Sequence, residues 1–450
     1  MKRFHPSCRI LEGTAYVSYL LRPNIPLLLF SLCLSVSLAR AATVPGPTYN
    51  KDILPIIEVR CQTCHRPGEI GPMPLITYEQ TKPWAKAIQE AVKTRKMPPW
   101  FADKCCGQFS TDHTLKPEEI ALIDAWVNGG AVEGKKKDAR PLLHWTNNWT
   151  IDGPGVAVSL PRPFEVPANS TIDYQYVILP IDLAEDRWAS AVEIHPSDRS
   201  IVHHAVVYVR TKQSKWLRNV PPLTMYAPKA GSISADELSG QAESDILAVY
   251  TPGSPAAIWP SGMGKKLPAG SDLVLQIHYT SKKTAASDRT SVGINFLKEP
   301  PKQRVLTLQM QNRNIDIPPG AADYHASISG VMPRDAMLIS MFPHMHLRGS
   351  AFEYAIVHPD GKMEMLLRVK PYDFFWQQSY PLTTPRLLPR GTQLQWTGYF
   401  DNSANNPRNP DPKAEVKWGE QSWEEMMVGF FDVAVDASVD KIGFFSSPNL

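Results

Sequence analysis

The sequence predicts a multidomain chain in which a small all-α unit near the N-terminus precedes all-β units that make up the bulk. Three observations carry this. The 450 residues exceed one ordinary core, and at roughly 150 residues per domain they suggest about three folding units. Forty-two prolines among runs rich in Val, Ile, Tyr and Phe favour short strands joined by turns after the first third. Apolar residues at helical spacing occur in that first third, around residues 49–60 and 116–130. Charged residues are 20%, the net charge is +3, and Lys and Arg are spread along the chain. No nucleic-acid partner is expected.

Basic residues Lys2, Arg3, Arg9 and Arg22 precede an apolar run from Ile25 to Leu38 that ends in Ala39-Arg40-Ala41. This is the pattern of a signal peptide, with cleavage expected after Ala41 and residues 1–41 removed. The run is short for a membrane span, and Leu32 before Cys33 fits a lipid-attachment site poorly. A retained anchor is the alternative. No later segment is apolar enough to cross a bilayer, so no membrane span is expected in the mature chain and a bacterial periplasmic or secreted location is. Of the six cysteines, Cys8 and Cys33 leave with the signal; Cys61, Cys64, Cys105 and Cys106 remain. The large β region must then be held without disulfides, by apolar packing or by metals.

Cys61-Gln-Thr-Cys64-His65 has the form of the c-type haem attachment sequence, in which two thiols add to the haem vinyl groups and the His is presented to the iron. A match this short also arises by chance or as half of a zinc or redox site, so its flanks matter. Tyr49–Arg60 before it places Ile53, Ile56 and Ile57 at helical spacing, and Gly71-Pro72 follows it. Lys116–Gly130 has Pro at the first turn, acids next, Ile120, Ile123 and Val127 on one face, and Gly at the stop. The order helix, attachment motif, Gly-Pro, Met-containing loop, closing helix resembles small class I cytochromes c over residues 45–135. That resemblance implies one covalently bound haem c held by Cys61, Cys64 and His65. Met97, on the Pro-stiffened Arg95-Lys-Met-Pro-Pro-Trp100 loop, is the candidate sixth ligand, with Met73 its rival. A methionine that only fills core is the ordinary alternative. Cys105-Cys106 allows a vicinal disulfide, free thiols or a redox role. Residues 136–147 are expected to be a solvated linker, part of a polar stretch that includes Lys135-Lys-Lys-Asp-Ala-Arg-Pro141.

The remaining chain carries imidazoles in three strand-like runs. Ile201-Val-His203-His204-Ala-Val-Val-Tyr-Val209 has two adjacent His, which an ideal strand sends to opposite faces, so one buried and one exposed His is the plain alternative to a ligand pair. Leu273-Val-Leu-Gln-Ile-His278-Tyr-Thr280 has a solitary His, a pattern more often structural than ligating. In Phe342-Pro-His344-Met345-His346-Leu347 the rings lie at i and i+2, on one face of a strand, as two ligands of one metal require. Met426 and Met427 precede an apolar strand and offer a thioether. Neutral nitrogens with a soft sulfur suit copper better than calcium or magnesium, while zinc fits the nitrogens as well. A blue-copper site needs a Cys, and this region has none.

Over residues 165–440 these motifs, in this order, resemble the type II copper, ascorbate-dependent monooxygenases, the family of peptidylglycine α-hydroxylating monooxygenase and dopamine β-monooxygenase. The resemblance implies two copper ions, one on His203, His204 and His278 and one on His344, His346 and Met426, the second being where one oxygen atom of O2 enters a C–H bond. With the haem unit, the implied fold is a small all-α cytochrome c domain followed by two all-β jelly-roll sandwich domains, residues 148–298 and 299–450, breaking at Lys298-Glu-Pro-Pro-Lys302. Two departures stand out. The family's disulfides are absent. Phe342 and Phe430 occupy the places of the arginine and tyrosine that hold a peptide carboxylate in the peptide enzyme. An unpaired buried carboxylate is costly, so an apolar or aromatic small-molecule substrate is expected. Electrons are expected through or alongside the haem, with ascorbate or a redox partner protein as donor. The alternatives are a non-enzymatic periplasmic haem and copper electron carrier, and a zinc hydrolase, although no Ser-His-Asp or nucleophile-elbow pattern accompanies these His.

Overall fold

A helix that starts at Tyr49 with a wide π-type turn, Tyr49–Ile53, and continues as Leu54–Arg60 opens the computed structural model. It describes residues 46–145, 148–228, 244–281, 283–419, 421–441 and 444–445. The expected signal peptide, residues 1–41, lies outside them. Further helices span Tyr78–Thr81, Ala85–Lys93 and Pro117–Asn128. The last begins as its sequence requires: Pro117 sits at the first turn, and Glu119 accepts the Lys116 backbone N–H at 2.7 Å. These helices enclose a core of Tyr49, Ile53, Ile57, Ile88, Ile123 and Trp126. None of the described helices is long and apolar enough to cross a membrane.

Most of the molecule is β-sandwich. In the first sandwich, one sheet runs in the order Thr171–Pro180, Asp272–Thr280, Val202–Arg210, Asp245–Tyr250, all antiparallel. Its inner residues, among them Val177, Val207, Leu275 and Ile277, meet Val192 and Ile294 of the facing sheet. In the second, the sheet Tyr324–Val331, Gln393–Phe400, Gly349–Val357, Met363–Val369 packs Ile328, Trp396, Phe352 and Tyr354 against Leu308, Met341 and Phe431 of its facing sheet. Period-two burial with β-branched and aromatic side chains is what produces such layers.

The two facing sheets are one. Nine strands form a continuous sheet that passes from the first sandwich to the second where Gln303–Gln311 pairs in parallel with Met263–Leu267, Gln303 opposite Met263 and Arg304 opposite Gly264. The chain itself crosses between Phe296 and Gln303.

Residues 99–111 leave the helices and lie on the second sandwich. Ala102 bridges to Val369 and Phe109 to Leu382, while Trp100 and Phe109 pack their rings on Tyr380 at 5.2 and 5.6 Å. This strap contains Cys105 and Cys106, which are joined as a disulfide.

Candidate metal centre

His203 and His204 are brought together by a fault in the strand. The pairing of Val202–Arg210 with Asp272–Thr280 slips between Val202 and His204, and beyond the slip His204 faces His278. The irregularity frees the two neighbours from the opposite-face rule. Their Nδ1 atoms lie 3.0 Å apart, and the three rings, with His278, have centroids 5.2–5.3 Å from one another. One ring nitrogen of each falls within 4.8 Å of the others. Two nitrogens bound at about 2.0–2.1 Å to one ion stand roughly 3–4 Å apart, so a small inward shift of the rings would let one ion reach all three. His278 Nδ1 and His203 Nε2 are buried without a hydrogen-bond partner, so nitrogen lone pairs are available for a cation. Burial pushes these imidazoles down, to about 3 at His203 and about 4 at His278, with His204 also well below its ordinary value. All three are neutral near pH 7, the form in which an imidazole can bind a metal. The Tyr174 ring closes one side, 5.4 Å from His204 and from His278.

His344 ends the strand Ala336–His344, and His346 stands just past it in the turn to Gly349. The expectation of one strand carrying both therefore holds for His344 alone, yet the rings still meet, 5.2 Å apart and perpendicular. His344 Nδ1 pairs with Gln377 Oε1 at 2.6 Å, and His346 Nδ1 with the Glu424 carbonyl at 3.2 Å. Each contact occupies Nδ1 and leaves Nε2 for a metal. The turn is fixed by a buried carboxylate: Glu425 accepts the backbone N–H of His346 at 2.8 Å, of Arg348 at 2.6 Å and of Met426 at 3.3 Å. Burial nevertheless raises Glu425 to about 8. Arg348, only 1% exposed, donates to Asn402 Oδ1 and the Trp423 carbonyl, both at 2.8 Å. Met427 is buried in the second sandwich's core, and Met426 is half-buried beside Glu425. On the strands Phe342 lies opposite Phe430, ring centroids 6.0 Å apart, and at i+2 spacing Phe342 shares the face of His344.

The two sets are neighbours. Phe374, on the turn after Tyr372, has its ring 5.4 Å from His203 and 6.1 Å from His346. Phe375 lies 5.5 Å from His203 on the same turn. Tyr372 Oη donates to the Met345 carbonyl at 2.7 Å and accepts the Met345 N–H at 2.9 Å. Arg408 clamps the Asp373 carboxylate through its two terminal guanidinium nitrogens, Nη1 and Nη2.

The Cys61–His65 segment fits a covalently held haem. Both cysteines are free, and burial raises their thiols to about 12 at Cys61 and about 11 at Cys64. His65 Nδ1 pairs with the Met73 carbonyl at 3.2 Å, which leaves Nε2 for an iron. A Cβ at Gly71 would stand 2.8 Å from His65 Nδ1, so that approach needs glycine. Met73 uses its backbone here while its side chain packs on the helical core; Met97, half-buried, sits past the helix end with its N–H on the Ala91 carbonyl. A Cβ on Gly253 would stand 2.9 Å from Cys64 Sγ, so the loop after Asp245–Tyr250 comes directly against the motif. At the same junction Glu69 accepts from Arg66 at 2.6 Å and from Arg199, on the first sandwich, at 2.8 Å.

Gln377, Phe374, Tyr372, Glu425 and Arg348 escape sequence reasoning. The acids before the Met pair are a visible signal for Glu425; nothing in Phe374-Phe-Trp-Gln377 marks that turn. No family model matches the chain, and no curated protein does. Among solved structures, it is similar to the major capsid protein P2 of bacteriophage PM2, at 10% identity over 62% of this chain and 97% of that one, TM-score 0.23. It is also similar to a structure of infectious bursal disease virus, Gx strain, at 8% identity over 65% and 75%, TM-score 0.18. Likeness this low carries no argument about function.

Proposed function

We propose that the chain is an exported copper-dependent monooxygenase that hydroxylates a C–H bond of an apolar or aromatic small molecule with O2, with electrons arriving through or alongside a fused haem c. In this reading the helical part is a cytochrome c-like domain and the sandwiches are two jelly rolls, each holding one copper. The carrying observation is the pair of imidazole sets, one on each sandwich and both against Phe374, with buried unpaired nitrogens in the first and Nδ1 atoms held by Gln377 and the Glu424 carbonyl in the second. The donors fit the metal: His203, His204 and His278 would hold one copper, and His344 and His346 with Met426 the other. Copper bound there supplies one-electron redox chemistry and O2 activation, and a haem on Cys61, Cys64 and His65 supplies single electrons.

The chain's own residues do the rest. Glu425 and Tyr372 hold the His-x-His turn, so its rings are oriented before anything binds. Burial keeps the imidazoles unprotonated and ready to ligate. Phe342 and Phe430 line the face beside His344 with apolar surface, which favours an uncharged substrate and disfavours a carboxylate.

Metal and haem content of the purified protein, together with carbon monoxide binding after reduction, tests this. Two coppers, one haem and a carbon monoxide complex lost in His344→Ala are expected. A copper protein that binds no carbon monoxide is a closed electron carrier, and a protein with a metal-free β region refutes both.

A further inference from the structure

Gln377 is a buried amide that bridges the Phe374 carbonyl and His344. Its Nε2 donates to the Phe374 carbonyl at 3.1 Å, which fixes the amide so that Oε1 faces His344 Nδ1 at 2.6 Å. An amide oxygen only accepts, so His344 must carry its proton on Nδ1 and present Nε2. The turn that delivers Gln377 is braced at its other end by Tyr372 on Met345 and by Arg408 on Asp373, and the Asp373 side chain accepts the Phe375 N–H at 2.9 Å. The same turn carries Phe374 against His203 of the other set.

We propose that Gln377 is a positioning residue that selects the tautomer and ring orientation of His344, and that the Tyr372–Gln377 turn thereby sets the second imidazole pair while resting on the first. This rests on the copper reading above. An outer-shell acceptor of this kind changes metal affinity by about 10–100-fold when removed. Leu in place of Gln377 keeps the volume and removes the acceptor; Glu keeps an acceptor and adds charge.

Nitrogen-15 NMR of the metal-free protein reads the His344 tautomer directly, and copper titration with electron paramagnetic resonance reads the loaded site. The expected results are a single Nδ1–H tautomer in the wild type and a mixture in Gln377→Leu. That variant should also lose affinity about 10–100-fold for one of two coppers, with an altered cupric signal for that copper alone. Gln377→Glu should restore the tautomer and the affinity. Undisturbed uptake at His203, His204 and His278 certifies that each variant is folded. A Gln377→Leu protein with the wild-type tautomer and wild-type affinity overturns the inference. A wild type that takes no copper at His344 overturns the copper reading instead, and the metal-free tautomer measurement still decides the orienting role.

Discussion

His203 Nδ1 lies 3.0 Å from His204 Nδ1, although the two are consecutive residues of one strand. Regular pleating would part them, so the slipped register is what brings the first imidazole set together. His203→Ala should therefore abolish one copper equivalent and leave the second copper and the haem in place. Metal analysis of the purified variant checks this, and loss of both coppers would contradict it.

Phe374 fills the space between the sets and is 5% exposed. Its replacement by Ala should cost about 3 kcal/mol of stability, and by Leu about 1 kcal/mol, because the larger side chain leaves a much smaller cavity. Urea denaturation of the three proteins measures both differences.

Glu193 predicts a pH dependence. Burial raises its carboxyl, but hydrogen bonds from His195, Thr150 and Ile151 outweigh this and hold it below the usual carboxylate value. A folded value below the unfolded one stabilises at pH above the unfolded value, about 4.3, and the benefit disappears as pH falls through the folded value. Glu193→Gln should cost about 2 kcal/mol at pH 7 and progressively less below about pH 4. Melting curves of both proteins across pH 3–7 would show the gap close, and a constant gap would refute the assignment.

Cys61 and Cys64 are free thiols in adjoining turns of the helical unit. When both are changed to Ser, haem staining on a denaturing gel should vanish, while the single variants keep one thioether and stain more weakly. An unstained wild type would remove the haem from the proposal, and equal staining of the double variant would remove Cys61 and Cys64 as its attachment points.

Local patterns were readable wherever a local rule governed. Lys116–Gly130 was bounded by its Pro, acids and Gly, and the helix observed is Pro117–Asn128. Leu273–Thr280 matches the strand Asp272–Thr280 because its apolar run carries strand-favouring Val274, Ile277, Tyr279 and Thr280. The convergence of His203 with His204 was not readable, since a bulge depends on the partner strand's register. His346 leaves its strand because Glu425, far along the sequence, captures its backbone N–H. Gln377 and Phe374 reach the site through a turn whose position is set by tertiary contacts with Met345 and Arg408. The strap at residues 99–111 lay unseen within a segment assigned to the helical unit, because docking on Tyr380 and Val369 has no periodic signature.

Where Gln303 and Arg304 pair with Met263 and Gly264, each sandwich covers one end of the other's open backbone edge. Severing the chain near residue 300 and producing either piece by itself would leave that strand edge facing water, a template for association with other chains. Fragments made to isolate a single metal set should therefore aggregate unless the two are expressed together.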